Sequence, residues 1–272
     1  MRRVVFNQKG GVGKSSIASN LAAISAERGL KTLLIDLDPQ CNSTQYLLGR
    51  DFQTGERDVG IFFAQSLTFR HRNNRNLDDF ITPSRYENLH VIAANPELGE
   101  IMSQLEAKHK IFKLRDALHR ISNYDAVYID TPPAFNFYTL SALIAADSCL
   151  IPFDCDEFSR QALYNLIENV EETRQDHNEA LEVEGIVVNQ FQPRASLPTR
   201  MVEELKEEGL PILDCYISSS VKMRESHDLG VPLVHMAPKH KLTQEFVELF
   251  ELLHPGFGVA PGSETERSPE TV

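Results

Sequence analysis

The chain of 272 residues has no apolar run long enough to cross a bilayer. Its apolar runs, such as VVF, TLLI and SCLIPF, are strand-sized, against the roughly 20 residues that a spanning helix needs. The opening MRRVVFNQKGG runs out of apolar residues too soon for a signal-peptide core, so the expected location is cytoplasmic. Paired cysteines are missing too. Cys41, Cys149, Cys155 and Cys215 form no C-x-x-C and keep no regular spacing, which favours free thiols in a reducing compartment over a metal site or iron–sulfur cluster. A basic surplus is also absent. The formal charge of −12 argues against a molecule coated in nucleic-acid-binding surface, although it leaves room for a local patch. Arg70 to Arg75 (RHRNNR) make one candidate patch, and Lys222, Arg224, Lys239 and Lys241 another. Each also reads as an ordinary solvated face.

What remains is an ordinary globular composition, 42% hydrophobic and 24% charged, able to bury a sizeable core. Short apolar runs (RRVVFN, KTLLIDLD, NLHVIAA, YDAVYID, DSCLIPFD, VEGIVVNQF, ILDCYI) alternate with amphipathic stretches such as HKIFKLRDALHRI and SRQALYNLIENVEETRQ. Strands alternating with helices of that length imply crossover connections. The fold class is α/β, a mainly parallel twisted sheet with helices on both faces. No repeat and no linker divides the chain, so residues 1–254 read as one domain. Residues 50–86 lack a clear period and read as an insertion or partner surface. Residues 255–272, rich in Gly, Pro, Ser and Glu, read as a disordered tail.

The chemistry concentrates in NQKGGVGKSS, Asn7 to Ser16. The usual phosphate loop, G-x-x-x-x-G-K-[ST], would put its first glycine at position 8, where this chain has Gln8. Gly10, Gly11 and Gly13 nevertheless sit between a strand and a helix. Glycines let successive backbone N–H groups turn inward, and the helix start adds its positive end. Lys14 is placed to meet the β- and γ-phosphates, and Ser15 to ligate Mg²⁺. A dinucleotide fingerprint fits less well, because Ser16 stands at its third glycine.

KGGVGKSS resembles the deviant phosphate loop of the ParA/MinD family of signature-lysine ATPases, with Ser15-Ser16 for the common Thr-Thr. The resemblance extends over roughly residues 1–253. It implies that ATP or ADP is bound by Lys9, Gly10, Gly11, Val12, Gly13, Lys14, Ser15 and Ser16. It also implies that Lys9 reaches across a two-fold interface to the partner's phosphate, so that nucleotide joins a homodimer.

DLDPQ, Asp36 to Gln40, is similar to the family's second acidic motif. Strand alternation puts Asp36 and Asp38 on the same side. The resemblance makes Asp38 the carboxylate that orients the attacking water, and Asp36 a Mg²⁺-shell or structural carboxylate. VYIDTPP looks like a Walker B strand, with Asp130 holding Mg²⁺ through water and TPPAF sensing the γ-phosphate. In VVNQF, the resemblance suggests that the Asn189 amide pairs with adenine, since an amide both donates and accepts. YISSSVKMRESHDLGVP departs from the family's pattern: Ser218 and Ser219 stand where Pro and Arg are usual, which puts carried-over DNA contacts there in doubt.

The family implies ATP hydrolysis used as a timer, with an activating partner protein. The first reading is a ParA-like ATPase that partitions or positions DNA or a large protein cargo, on nonspecific DNA (nucleoid-associated) or a polar protein scaffold. Its DNA contacts would be Lys222, Arg224, Lys239 and Lys241. A MinD-like membrane cycler needs a basic amphipathic helix at its end, and the last helical stretch, LTQEFVELFELL, is acidic. No membrane insertion is expected. The third reading is another enzyme or metal carrier of the superfamily, for which the cysteine spacing offers no support.

Overall fold

A computed structural model describes residues 1–67, 75–155, 159–192 and 196–255. Most of the Arg70–Arg75 patch and residues 256–272 of the expected tail lie outside these. Within them, eight strands form one sheet: β1 (Arg2–Val5), β2 (Thr32–Asp36), β3 (Thr82–Pro83), β4 (Leu89–Ile92), β5 (Ala126–Asp130), β6 (Ser148–Asp154), β7 (Glu182–Phe191) and β8 (Ile212–Ser218). Their order across the sheet is β3-β4-β2-β5-β1-β6-β7-β8. All neighbours are parallel except β3, a two-residue edge strand antiparallel to β4.

The central strands are buried on both faces, as a parallel sheet covered by helices requires. Alternation along β5 sends Val127 and Ile129 into one core and Ala126 and Tyr128 into the other. The second core is covered by α1 (Lys14–Glu27), α2 (Asn42–Leu48) and the closing helix α11 (Lys241–Leu253). Between α2 and α11 in the chain come α3 (Val59–Ala64), α4 (Leu98–Ala107), α5 (Lys113–Leu118), α6 (Phe137–Ala145), α7 (Ser159–His177), α8 (Ser196–Glu207), α9 (Val221–Leu229) and α10 (Leu233–Met236). Of these, α3 to α8 contribute to the first core.

The described part of residues 50–86 is more regular than its sequence pattern indicates. Asp58 caps α3 by accepting from the Ile61 N–H at 2.9 Å, and a 3-10 turn at Leu77–Phe80 leads into β3. Phe62, Phe63 and Phe80 are buried in the first core. These elements are too short for a helical or strand period to show in sequence.

A buried arginine ties the first strand to the last described helix. Arg3 is fully buried and pairs with Glu184 at 2.5 Å, and it donates to Leu253 O at 3.2 Å. Its carbonyl partner ends α11, so the last helix is anchored to the first strand.

The four cysteines are buried and none is disulfide-bonded. No helix among the described residues is long and apolar enough to cross a membrane.

Candidate functional site

The strand order decides where the site lies. β5 sits between β1 and β2, and its last residue Asp130 is in register with Val5 and with Asp36. Three segments therefore meet at the carboxyl ends of adjacent strands, where open α/β sheets bind ligands. They are the glycine loop after β1, Asp38 after β2 and the TPP segment after β5. Together they line a cleft of about 500 Å³ that includes Gly10, Gly13, Lys14, Ser15, Asp38 and Pro133.

The loop's backbone depends on two glycines with positive φ, Gly11 at 78° and Gly13 at 90°, conformations that a side chain disfavours. Gly13 also has a neighbour. A Cβ on it would stand 2.2 Å from the Asn189 amide nitrogen. α1 starts at Lys14 with no side-chain cap, so its first-turn N–H groups and dipole face the cleft.

Lys14 is buried, and its ammonium donates to Lys9 O at 3.0 Å, arching over the loop. Burial pulls its pKa down, opposed by Asp130 and Asp38. Lys9 points elsewhere. Its ammonium lies 3.8 Å from Asp154, at the end of β6, while its backbone N–H is held by Asn7 at 2.8 Å.

Asp130 is fully buried. Its Oδ2 accepts from Ser43 Oγ at 2.7 Å, and its Oδ1 has no hydrogen-bond partner. Burial raises its pKa, and hydrogen bonds from Ser43 and Ser15 lower it. A buried carboxylate oxygen without a donor costs free energy and is the oxygen chemistry that a hydrated hard cation seeks. With the Ser15 hydroxyl beside it, this donor set fits Mg²⁺.

Asp36 and Asp38 part company. Asp36 is fully buried and does not line the cleft. It accepts from the Asp38 N–H at 3.0 Å, the Thr44 N–H at 2.9 Å and the Thr44 hydroxyl at 2.7 Å. Both its oxygens are thus engaged in shaping the turn into α2. Burial, with Asp130 adding to it, pushes its pKa up to about 8. The expected same-side placement fails because β2 ends at Asp36. Asp38 lies in the following turn, where its Oδ1 accepts from the Gln40 N–H at 2.9 Å, and it faces the cleft. Burial raises its pKa, while that N–H bond and Lys14 lower it.

Asn189, read as an adenine partner, sits near the end of β7 against the glycine loop. It lies beneath the loop, donating to Val12 O at 2.8 Å, and Gln190 donates to Gly11 O at 2.9 Å. Two adjacent amides at the end of β7 thus latch the loop, and neither lines the cleft. The sequence reading missed Gln190, which takes a positive φ of 55° near the end of β7. It also missed His227, whose Nε2 lies 3.0 Å from Ser16 Oγ. The cleft extends past it to Gln45, Tyr46 and Arg50.

The four basic candidates lie around α9 and the start of α11. Lys222 pairs with Glu225 at 2.5 Å and Lys241 with Glu245 at 3.3 Å. Arg224 and Lys239 are exposed. Ser218 accepts no basic role: its N–H and hydroxyl both donate to Glu245, at 2.8 and 2.6 Å.

Comparison with known proteins agrees with this geometry. A family profile described as an AAA domain matches residues 3–183. The chain is 32% identical to the chromosome partitioning protein ParA of Myxococcus xanthus, over 90% of this chain and 84% of that one. It is 29% identical to the sporulation initiation inhibitor protein Soj of Bacillus subtilis, over 90% and 94%. Among solved structures, apo McdA from Cyanothece superposes with a TM-score of 0.81 at 21% identity, covering 93% of this chain and 98% of that chain.

Proposed function

The chain belongs to the ParA/MinD-type family of ATPases, and on that premise we propose that ATP-driven dimerisation and hydrolysis let it partition or position DNA or a large protein cargo. It is an ATP hydrolase of the partitioning type, as a relative from Thermus thermophilus, the chromosome-partitioning ATPase Soj, is by name. The observation that carries the reading is the meeting of Lys14, Asp38 and Asp130 around a glycine loop at a helix start.

In this proposal the loop N–H groups and Lys14 bind the phosphates of ATP or ADP, and Ser16 takes part from the first turn of α1. Ser15 and Asp130 would hold Mg²⁺, which when bound neutralises charge on the phosphate oxygens. Asp38 accepts a proton from, or orients, the attacking water, a task for which an acceptor in the cleft suffices. Lys9 leaves Asp154 to reach the phosphate on a second copy. That exchange is open to it because the ion pair is long and partly exposed, and such pairs contribute at most about 1 kcal/mol. ATP thereby closes a homodimer, and hydrolysis with an activating partner opens it.

DNA is the matrix we favour, through Arg224 and Lys239, with Lys222 and Lys241 exchanging their helix carboxylates for phosphate. A polar protein scaffold is the other outcome. Duplex DNA binding measured with ATP, ADP and no nucleotide across a salt series separates them: steeply salt-sensitive binding with ATP alone supports DNA, and none in any state moves the matrix to a scaffold. Lys9→Ala tests the dimer. It is expected to bind ATP yet remain monomeric in sedimentation, and ATP-induced dimerisation equal to the parent's overturns the exchange.

A further inference from the structure

A second cavity, of about 680 Å³, opens on the other side of the sheet, between the segment after α3 and helix α5. It belongs to no part of the nucleotide cleft. Its charge is unlike that of the chain as a whole, which is −12. Arg75, Lys110, Lys113 and Arg120 line it against Asp78 and Asp116. Asp116 is already engaged by Arg115 at 2.9 Å. Among the described residues no carboxylate forms an ion pair with Lys110, Lys113 or Arg120, so the positive charge is locally uncompensated.

The cations are held over an aromatic floor. The Lys113 ammonium stands 4.5 Å from the centre of the Phe62 ring, and the Arg75 guanidinium 4.5 Å from that of Phe80. Gln65 fixes Arg75 by exchanging two hydrogen bonds with its backbone, at 2.9 and 3.0 Å. Arg75 itself donates to Glu56 O at 2.6 Å. Burial and the neighbouring Lys110 push the Lys113 pKa down to about 8. A carboxylate arriving beside these groups relieves that repulsion.

We propose that this cavity docks an acidic segment of a partner polypeptide, with its carboxylates on Lys110, Lys113 and Arg120 and its apolar stems over Phe62 and Phe112. The size suits a few side chains of an extended segment. Charge complementarity of this kind sets specificity and association rate. Asp78 at the rim favours a peptide over a nucleic acid. A peptide brings N–H donors to that carboxylate, whereas a polyphosphate brings only negative charge.

The test uses the full chain without nucleotide, so that it stands apart from the ATP cycle. Binding of a fluorescein-labelled oligoglutamate peptide is followed by anisotropy over a salt series, with a labelled DNA duplex as competitor. The parent is expected to bind the peptide in a salt-sensitive manner. Lys110→Ala/Lys113→Ala is expected to weaken that binding by about tenfold or more, as is Arg120→Ala to a smaller degree, with the same melting temperature as the parent. Arg174→Ala, on the exposed face of α7, leaves it unchanged. Peptide binding equal to the parent's in the double variant, no peptide binding by the parent, or displacement of the peptide by duplex in a manner dependent on Lys110 and Lys113, overturns the proposal.

Discussion

The Asn189 amide nitrogen stands where a side chain on Gly13 would begin, 2.2 Å from an added Cβ, while it donates to the carbonyl of the adjacent Val12 at 2.8 Å. The glycine and the amide are therefore one device: the loop passes close over β7 because position 13 has no side chain, and the amide holds it there. Gly13→Ala meets both a clash and a φ of 90°, a left-handed conformation that alone costs an alanine about 1–2 kcal/mol. Loss of measurable ATP binding by calorimetry is the expected result, with the fold retained by circular dichroism. Asn189→Ala removes the clash and one buried hydrogen bond, with a cost of about 1 kcal/mol in chemical denaturation. Combining it with Gly13→Ala restores only part of the binding, since φ is unchanged.

Asp38 faces the cleft, whereas Asp36 is enclosed by backbone and Thr44 donors. The two should separate on mutation. Asp38→Ala is expected to retain ATP affinity and to lose about 10²-fold or more in steady-state phosphate release. Unchanged turnover would remove it from water positioning.

Asp36 gives a pH signature. Its pKa is near 8 in the folded protein, against an unperturbed value near 3.9. The folded state therefore holds this proton more tightly than the unfolded state. The associated stability is full below about pH 4, is lost progressively as pH rises to about 8, and stays lost above it. In Mg²⁺-free buffer, the difference in unfolding free energy between Asp36→Asn and the parent should shift in favour of the variant from pH 6 to pH 8. Measuring that difference, rather than either curve alone, cancels titrations common to both proteins. A difference independent of pH would show that Asp36 is ionised throughout.

Arg3 is a stability determinant outside the site. Replacing it with Met leaves Glu184 without its cation and Leu253 O without its donor. Because Glu184 is partly exposed, the loss should sit at the low end for a broken buried pair, about 3 kcal/mol in urea denaturation. Arg3→Met unfolding at the parent's urea midpoint would contradict this.

Much of the site was legible in the sequence for a local reason. Gly10 to Ser16 are contiguous, and a strand, a glycine turn and a helix start impose their geometry within about ten residues. Asp130 was legible because it ends an apolar run beside that loop. The mainly parallel sheet followed from alternation of strand-length and helix-length periods. Asp36 was only half legible. Strand alternation holds only while the strand lasts, and β2 ends at Asp36 itself.

Long-range packing decided the rest. Asn189 lies 177 residues from Val12 and His227 lies 211 from Ser16, and no local pattern specifies which polar groups meet over such distances. The partner of Lys9 within the chain, Asp154, follows from β6 lying next to β1. The cation-lined cavity similarly arises because α5 packs beside the segment that follows α3. In sequence, Arg75 and Lys113 lie in two separate basic stretches, and only the fold places them around one space. Contiguous residues determine a loop's chemistry, because their backbone angles are coupled directly. Which side chains close over that loop depends on how the whole sheet is ordered.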